Sequence, residues 1–438
     1  MIALLKGPMA LSLADQVLVS AANLALSFWL IHQWAPEAFG VFAIVTSISL
    51  AGLALHQALA GSQLPLLEAR AQTADDRAEA LAAVFTVAFC VAVAVGTATL
   101  LGFLALTRGE GRHAAFAAGL FVALHVLREH VRTYHFAQFE VARALASDLI
   151  FVVVVACTLV PANLLLAGMS NAVVFSALAL GSAVAVLATG LSRRADFALR
   201  FDRPVRERIA SLWQDHARWA LLGASASEMQ TRGHILAVST FFSVADLGVI
   251  QAALLLLRPV ALLNTAWGKI ARPVMVRYFA EGDAAAAVRY ADLSALGFTL
   301  ATLCYVAILS LAWPYLSAHV VPRDYAGLGD AVPLWGLVIL LGLVRSVYSL
   351  QAQSVPLFRE SFFASAAAMI VVGIGLILAV LWGTATSTVL ALAAGELGAL
   401  LVLLTFIRRE VRRRIVAAGP AIGLGGAPAT PVASRARQ

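Results

Sequence analysis

The chain has 438 residues, 61% of them hydrophobic and 13% charged, with a formal net charge of +7 at pH 7. Soluble domains are about 45–50% apolar and about 25% charged, so an excess spread over the whole length excludes a soluble globular protein. Ala, Leu and Val dominate without the ten-residue alternation of barrel strands, which leaves α-helical membrane spans.

A span needs about 20 mostly apolar residues. On that rule the sequence predicts twelve: 12–33, 37–60, 80–106, 114–133, 147–168, 170–192, 217–242, 244–266, 291–316, 331–354, 362–383 and 385–407. The first run is too long for a removable signal peptide and lacks an A-x-A cleavage site, so it counts as a span. Asp15 and Gln16 open it, Asp15 as a first-turn acid, and Asn23 lies near its middle. His125 sits near the middle of the fourth. Asn23 and His125 are each expected either to satisfy an interhelical hydrogen bond or to touch a ligand. Cys90, Cys157 and Cys304 lie in apolar runs without metal-ligand spacing and are expected to be small buried hydrophobes. Connections as short as "QWAPE" and "GTATST" make neighbouring spans antiparallel hairpins.

Cytoplasmic loops retain Arg and Lys. With the N-terminus inside, 25 of the 31 basic residues fall on the cytoplasmic side, Arg128 and Arg132 among them. Arg108, Arg112 and Arg323 fall outside, and Arg232, Arg258 and Arg345 fall within spans. Both termini are therefore expected in the cytoplasm. The stretches 193–216 and 267–290 are both basic, so an even number of spans separates them. Only two candidates lie between, and 217–242 has to cross although "SEMQTRGH", Ser227 to His234, stands at its centre.

That centre is expensive. Glu228 and Arg232 together cost roughly 5–7 kcal/mol on insertion scales, and the Leu, Ile, Val and Phe residues of the span offset about half. The helix must face protein or a wet cavity. Glu228 and Arg232 are four residues apart and share a face with Ser225. Ser227, Gln230 and His234 make an adjacent face, and Leu222, Ala226, Met229, Gly233 and Leu236 leave a narrow lipid stripe. Two outcomes are open: mutual neutralisation at an interface, or a cationic cavity with Glu228 holding Arg232. Arg258, before Pro259, and Arg345 lie in the inner halves of their spans. They either snorkel to the cytoplasmic interface or join Arg232 in a ring for an anionic substrate. Glu396, in "AAGELGAL", is an isolated intramembrane acid and a candidate proton site.

The expected organisation is an N-tail (1–11), a first six-helix lobe (12–192), a basic cytoplasmic linker (193–216), a second lobe (217–407) and a basic, disordered tail (408–438). "EAFGV" and "ADLGV" echo each other across the lobes, as do "LPLLEAR" and "RPVMVRY". Gly40 to Gly248 and Pro65 to Pro273 are each 208 positions apart. Parallel repeats of this kind are common in transporters. No P-loop, H-E-x-x-H or G-x-S-x-G motif and no paired cysteines occur, so neither a catalytic site, a metal nor a cofactor is expected.

The opening "LADQVLVSAANLALSFWLIHQWAPEAFGVFAIVTSISLAGLALHQALAGSQLPLL" resembles the N-terminus of the polysaccharide-transporter, O-antigen flippase-like family. That family lies within the superfamily that includes multidrug and toxin extruders. "REHVRTYHFAQFEVARALASDL" and "GVIQAALLLLRPVALLNTAWGKIARPVMVRYFAEGD" are similar to it, so the resemblance runs over about residues 10–290. It implies two six-helix bundles forming a V, with both termini inside. It further implies a flippase of the bacterial inner membrane that translocates polyprenyl-diphosphate-linked oligosaccharide for capsule, exopolysaccharide or O-antigen synthesis. Membrane lipids, a polysaccharide polymerase and glycosyltransferases would be its partners, and nothing points to nucleic acid. Buried Arg suits a pyrophosphate. The readings from other classes are a cation-coupled drug extruder, which would want acids in its cavity, and a non-transporting accessory subunit of a polysaccharide-synthesis complex.

Overall fold

A computed structural model describes residues 8–64, 73–106, 111–166, 168–214, 218–354 and 358–418. Among these the chain is helical, without a strand. The α-helices are α1 (Pro8–Gln33), α2 (Pro36–Leu59), α3 (Ala74–Leu106), α4 (Arg112–Ala137), α5 (Val141–Leu165), α6 (Asn171–Gly190) and α7 (Arg203–Leu212). They continue with α8 (Arg218–Phe241), α9 (Val244–Ala280), α10 (Ala284–His319), α11 (Leu328–Ser354), α12 (Phe358–Trp382) and α13 (Ser387–Ala418). Their starts are written locally. Pro36 opens the first turn of α2, where a missing N–H costs nothing. Ser170, Ser243 and Asp283 each accept a backbone N–H of the first turn of α6, α9 and α10.

Eleven of these helices are long and apolar enough to cross a membrane. The twelfth long helix is α8, 24 residues carrying Glu228 and Arg232. It is shielded instead by protein, packing against α2, α9, α12 and α13. Leu222, Met229 and Leu236 remain exposed as the expected lipid stripe, whereas Ala226 is buried and Gly233 rests on Leu376.

Helices α1–α6 pack as one group through the α3–α4, α4–α6, α5–α6 and α1–α5 contacts, and α8–α13 pack as another. The groups meet where α2 lies against α8 and α9. One end of this junction is closed. Trp34 is buried, donates its indole N–H to Met169 O at 2.7 Å, and accepts Tyr325 O–H at its carbonyl at 3.1 Å. Phe39 meets Tyr325 edge-on and Phe42 stacks on Phe175.

Four expectations are corrected. The basic stretch 267–290 is not a loop: α9 continues to Ala280 and α10 begins at Ala284, joined by a tight turn with Gly282 at φ 80°. Hydropathy marks where bilayer ends, not where the backbone stops coiling, and Asp283 caps the new helix. The linker 193–216 contains α7, whose Val205 and Ile209 pack on Ala82 and Ala83 of α3, with Arg208 reaching Asp76 at 3.0 Å. The tail does not begin disordered at 408, because α13 runs to Ala418. The three cysteines are free and exposed on outer helix faces rather than buried. Residues 419–438, Lys6, Pro65, Arg70 and Arg108 lie outside the described residues.

Candidate functional site

A cavity of about 480 Å³ lies between the helix groups, away from the closed end. Helix α1 lends it Gln16 and Asn23, α2 Thr46 and Ser49, and α4 His125, Arg128, Glu129 and Arg132. Asp148 and Phe151 of α5 continue the wall, and Arg232, Gln251 and Arg258 of α8 and α9 face them. Such a mix is unaffordable against lipid but serves a polar solute.

The wall formed by the first group is an ion-pair network. Arg128 donates to Asp148 Oδ1 at 2.5 Å and lies over the Phe151 ring, 4.1 Å from its centroid. Arg132 donates to Asp148 Oδ2 at 2.8 Å, to Asp15 Oδ2 at 2.5 Å and to Glu129 Oε1 at 3.1 Å. Asp15 and Asp148 are buried. The network therefore ties α1, α4 and α5 together, three carboxylates against two guanidiniums. Arg128 also approaches His125 Nδ1 at 3.4 Å. Sequence reasoning misses these groups because it counts Arg128 and Arg132 with the cytoplasmic basic residues and reads Asp15 as a first-turn acid. The available signal was the i,i+4 repeat Arg128–Arg132 within "REHVRTYH", which sets two guanidiniums on one face.

On the opposite wall, Arg232 donates to Glu228 Oε2 at 2.6 Å, the pairing expected from their spacing. Arg258 differs: no carboxylate partner is found for it among the described residues. Arg232 and Arg258 thus share one cavity, and Asn23 and His125 line it too. Arg345 does not. It donates to Glu396 Oε2 at 2.5 Å, inside the second group, and Glu396 also accepts Gln230 Nε2 at 3.0 Å. Glu396 is accordingly not the isolated acid expected from "AAGELGAL", and the three-Arg ring does not form. The guanidinium is satisfied by the nearest buried carboxylate, because a lone buried charge costs more than a paired one.

Gln230 and His234 are buried rather than wet. Gln251 donates its amide Nε2–H to His234 Nε2 at 3.0 Å, and the His234 ring meets Trp335 edge-on. Together with Glu396 they line a side pocket of about 170 Å³ that shares Arg232 and Gln251 with the main cavity.

Two groups of six long helices around a buried polar cavity make up the fold of a multi-pass membrane protein. Solved structures place it more narrowly. The chain is similar to an inward-facing multidrug-resistance MATE transporter of the MOP superfamily, at TM-score 0.70 and 13% identity over 94% of this chain and 100% of that one. An outward-facing MATE transporter gives TM-score 0.59 and 14% identity, over 94% of this chain and 98% of that one. The lipid II flippase MurJ, inward closed, gives 0.67 and 11%, over 93% and 90%. The chain has the MOP-superfamily transporter fold. No family description and no curated protein matches its sequence.

Proposed function

We propose that the protein is a flippase that carries an anionic, lipid-linked polar substrate through the central cavity by alternating access. A polyprenyl-diphosphate-linked oligosaccharide of a bacterial inner membrane, on its way to capsule, exopolysaccharide or O-antigen, fits this description. A polymerase and glycosyltransferases would then work beside it. The observation that carries the reading is Arg258: of the four cavity arginines it alone has no carboxylate partner among the described residues. A guanidinium held in a polar cavity without a counterion is a standing site for a phosphate oxygen. Arg128, Arg132 and Arg232 are neutralised by fixed acids and supply position more than net charge.

A second reading has its own support. Glu129 and Asp148 line the cavity, and acids there suit a cation-coupled extruder. Deletion and complementation separate the two. Loss of surface polysaccharide on deletion, rescue by wild type and failure by Arg258→Ala, with undecorated precursor retained inside, supports the flippase. Intact surface polysaccharide in the deletion strain, with increased sensitivity to cationic drugs, supports the extruder.

A further inference from the structure

The cavity has an apolar annex. A groove of about 330 Å³ lies between α1 and α5, closed behind by Leu178 of α6. Ala22, Ala25 and Ala156 make its space, and Trp29, Val155 and Leu159 make its walls. Four residues, Asn23, Leu26, Phe151 and Leu178, line both the groove and the polar cavity. Phe151 is the partition: Arg128 rests on its ring, and the side chain also lines the groove. Val160, at the groove's far end on α5, is 57% exposed on the outer surface of the helix bundle, where the bilayer lies.

We infer that this groove holds the hydrocarbon chain of the transported lipid while its phosphate head sits at Arg258. The inference rests on the flippase reading above. A lipid-linked substrate whose head is in the cavity needs a path for its tail out of a wall lined by Arg, Asp and Glu. Polar cavity walls repel methylenes, and a dry apolar channel accepts them. Between α1 and α5 the wall is apolar, it adjoins the cavity through four residues, and it reaches the lipid face. Charge and hydropathy thus change together across the shared residues, from the polar cavity to the adjoining apolar groove, matching an amphiphile of anionic head and isoprenoid or acyl tail. Helices α1 and α5 are also tied by Arg132, which bonds both Asp15 and Asp148, so the groove is framed by the network that faces the head.

The test uses the full chain in phosphatidylcholine nanodiscs, titrated with inorganic pyrophosphate and with isopentenyl, geranyl and farnesyl diphosphates. Binding is read calorimetrically and by tryptophan fluorescence, with Trp29→Phe identifying the groove signal. The expected result is an affinity rising about tenfold or more from pyrophosphate to farnesyl diphosphate in wild type. Ala156→Phe and, independently, Ala22→Leu fill the groove, and they should abolish the rise while pyrophosphate binds as before. Arg258→Gln should weaken all four ligands alike. The same chain-length rise in both filled variants would mean that the tail only partitions into surrounding lipid, and the groove proposal falls. If pyrophosphate and all three prenyl diphosphates fail to bind wild type, the flippase reading itself falls with it.

Discussion

Gly40 and Gly248 hold the two helix groups together through reciprocal backbone contacts. A methyl group on Gly40 of α2 would run into the carbonyl oxygen of Val244 at the start of α9. A methyl group on Gly248 of α9 would run into the carbonyl oxygen of Pro36 at the start of α2. Each helix start is seated on the other's glycine, so "EAFGV" and "ADLGV" are the two faces of one seam. Trp34 and Tyr325 lie at this same end, and the cavity is sealed there.

Gly248→Ala therefore pries open the seam, because the clash is with backbone, which cannot move aside as a side chain would. Overpacking of this kind costs about 1–3 kcal/mol, enough to move a two-state equilibrium by about 5–150-fold. With Cys90, Cys157 and Cys304 replaced by Ser and a single cysteine at Thr46, labelling by a membrane-impermeant maleimide from the sealed side is expected to rise in Gly248→Ala. Unchanged labelling would show that the seam is not the closed gate.

Arg258 and Arg345, equivalent in the sequence, should separate in experiment. A charge-assisted hydrogen bond contributes about 1.5–3 kcal/mol, so Arg258→Ala is expected to weaken pyrophosphate binding by about 10–150-fold. Arg258→Lys should recover part of it. Arg345→Ala, outside the cavity lining, should leave that affinity within about twofold. Titration of the three variants decides it: equal losses for Arg258 and Arg345 would sink the single-cation site.

The pair Arg345–Glu396 is expected to report in stability. Removing one member strands the other at low exposure, at a cost on the order of 3 kcal/mol. Glu396→Leu alone should lower the melting temperature of the purified protein more than Arg345→Leu with Glu396→Leu does. A strictly additive double-mutant cycle would contradict the pairing.

How far the sequence reaches is clear from individual residues. Charge bookkeeping across loops led to the expectation that "SEMQTRGH" crosses, because an even count of spans is a global constraint, and the segment does lie in a long helix, α8. The same bookkeeping failed at Arg132, since it treats any Arg near the inner end of a span as bound for headgroups. Its acid, Asp15, is 117 residues away in sequence, and a single sequence offers nothing to pair them. Glu396 failed likewise, its partner Arg345 lying 51 residues away. Glu228–Arg232 was legible because helical geometry alone brings i and i+4 together. The Gly40–Gly248 repeat was visible as an echo, but its meaning as a contact needed the packing of α2 on α9. Helix ends were least legible: α9 outruns its apolar stretch by 14 residues, from 266 to Ala280.

Glu140 gives the pH dependence outside the spans. It sits in the turn between α4 and α5 and accepts from Arg143 at 3.0 Å and from Arg193, with His135 Nδ1 at 2.9 Å. His135 Nε2 in turn lies 3.2 Å from Thr189 O near the end of α6, so the cluster fastens three helices. Partial burial pushes the Glu140 carboxyl up, but the hydrogen bonds of His135 and Arg193 and the charges of Arg143 and Arg193 outweigh it and hold it below its ordinary value. A carboxyl depressed in the folded state contributes its stability in full above the unfolded value, about 4.3 for Glu, and loses it as pH falls through the folded value. The melting temperature of wild type minus that of Glu140→Gln should therefore be positive and constant from pH 7 to about 5.5. It should shrink toward zero as pH falls from about 5 through 4.3 and below. Arg193→Ala should narrow the difference at neutral pH by removing one of the groups that depress the carboxyl. A wild-type advantage that persists undiminished at pH 3 would mean that the Glu140 side chain acts through packing and not through its charge.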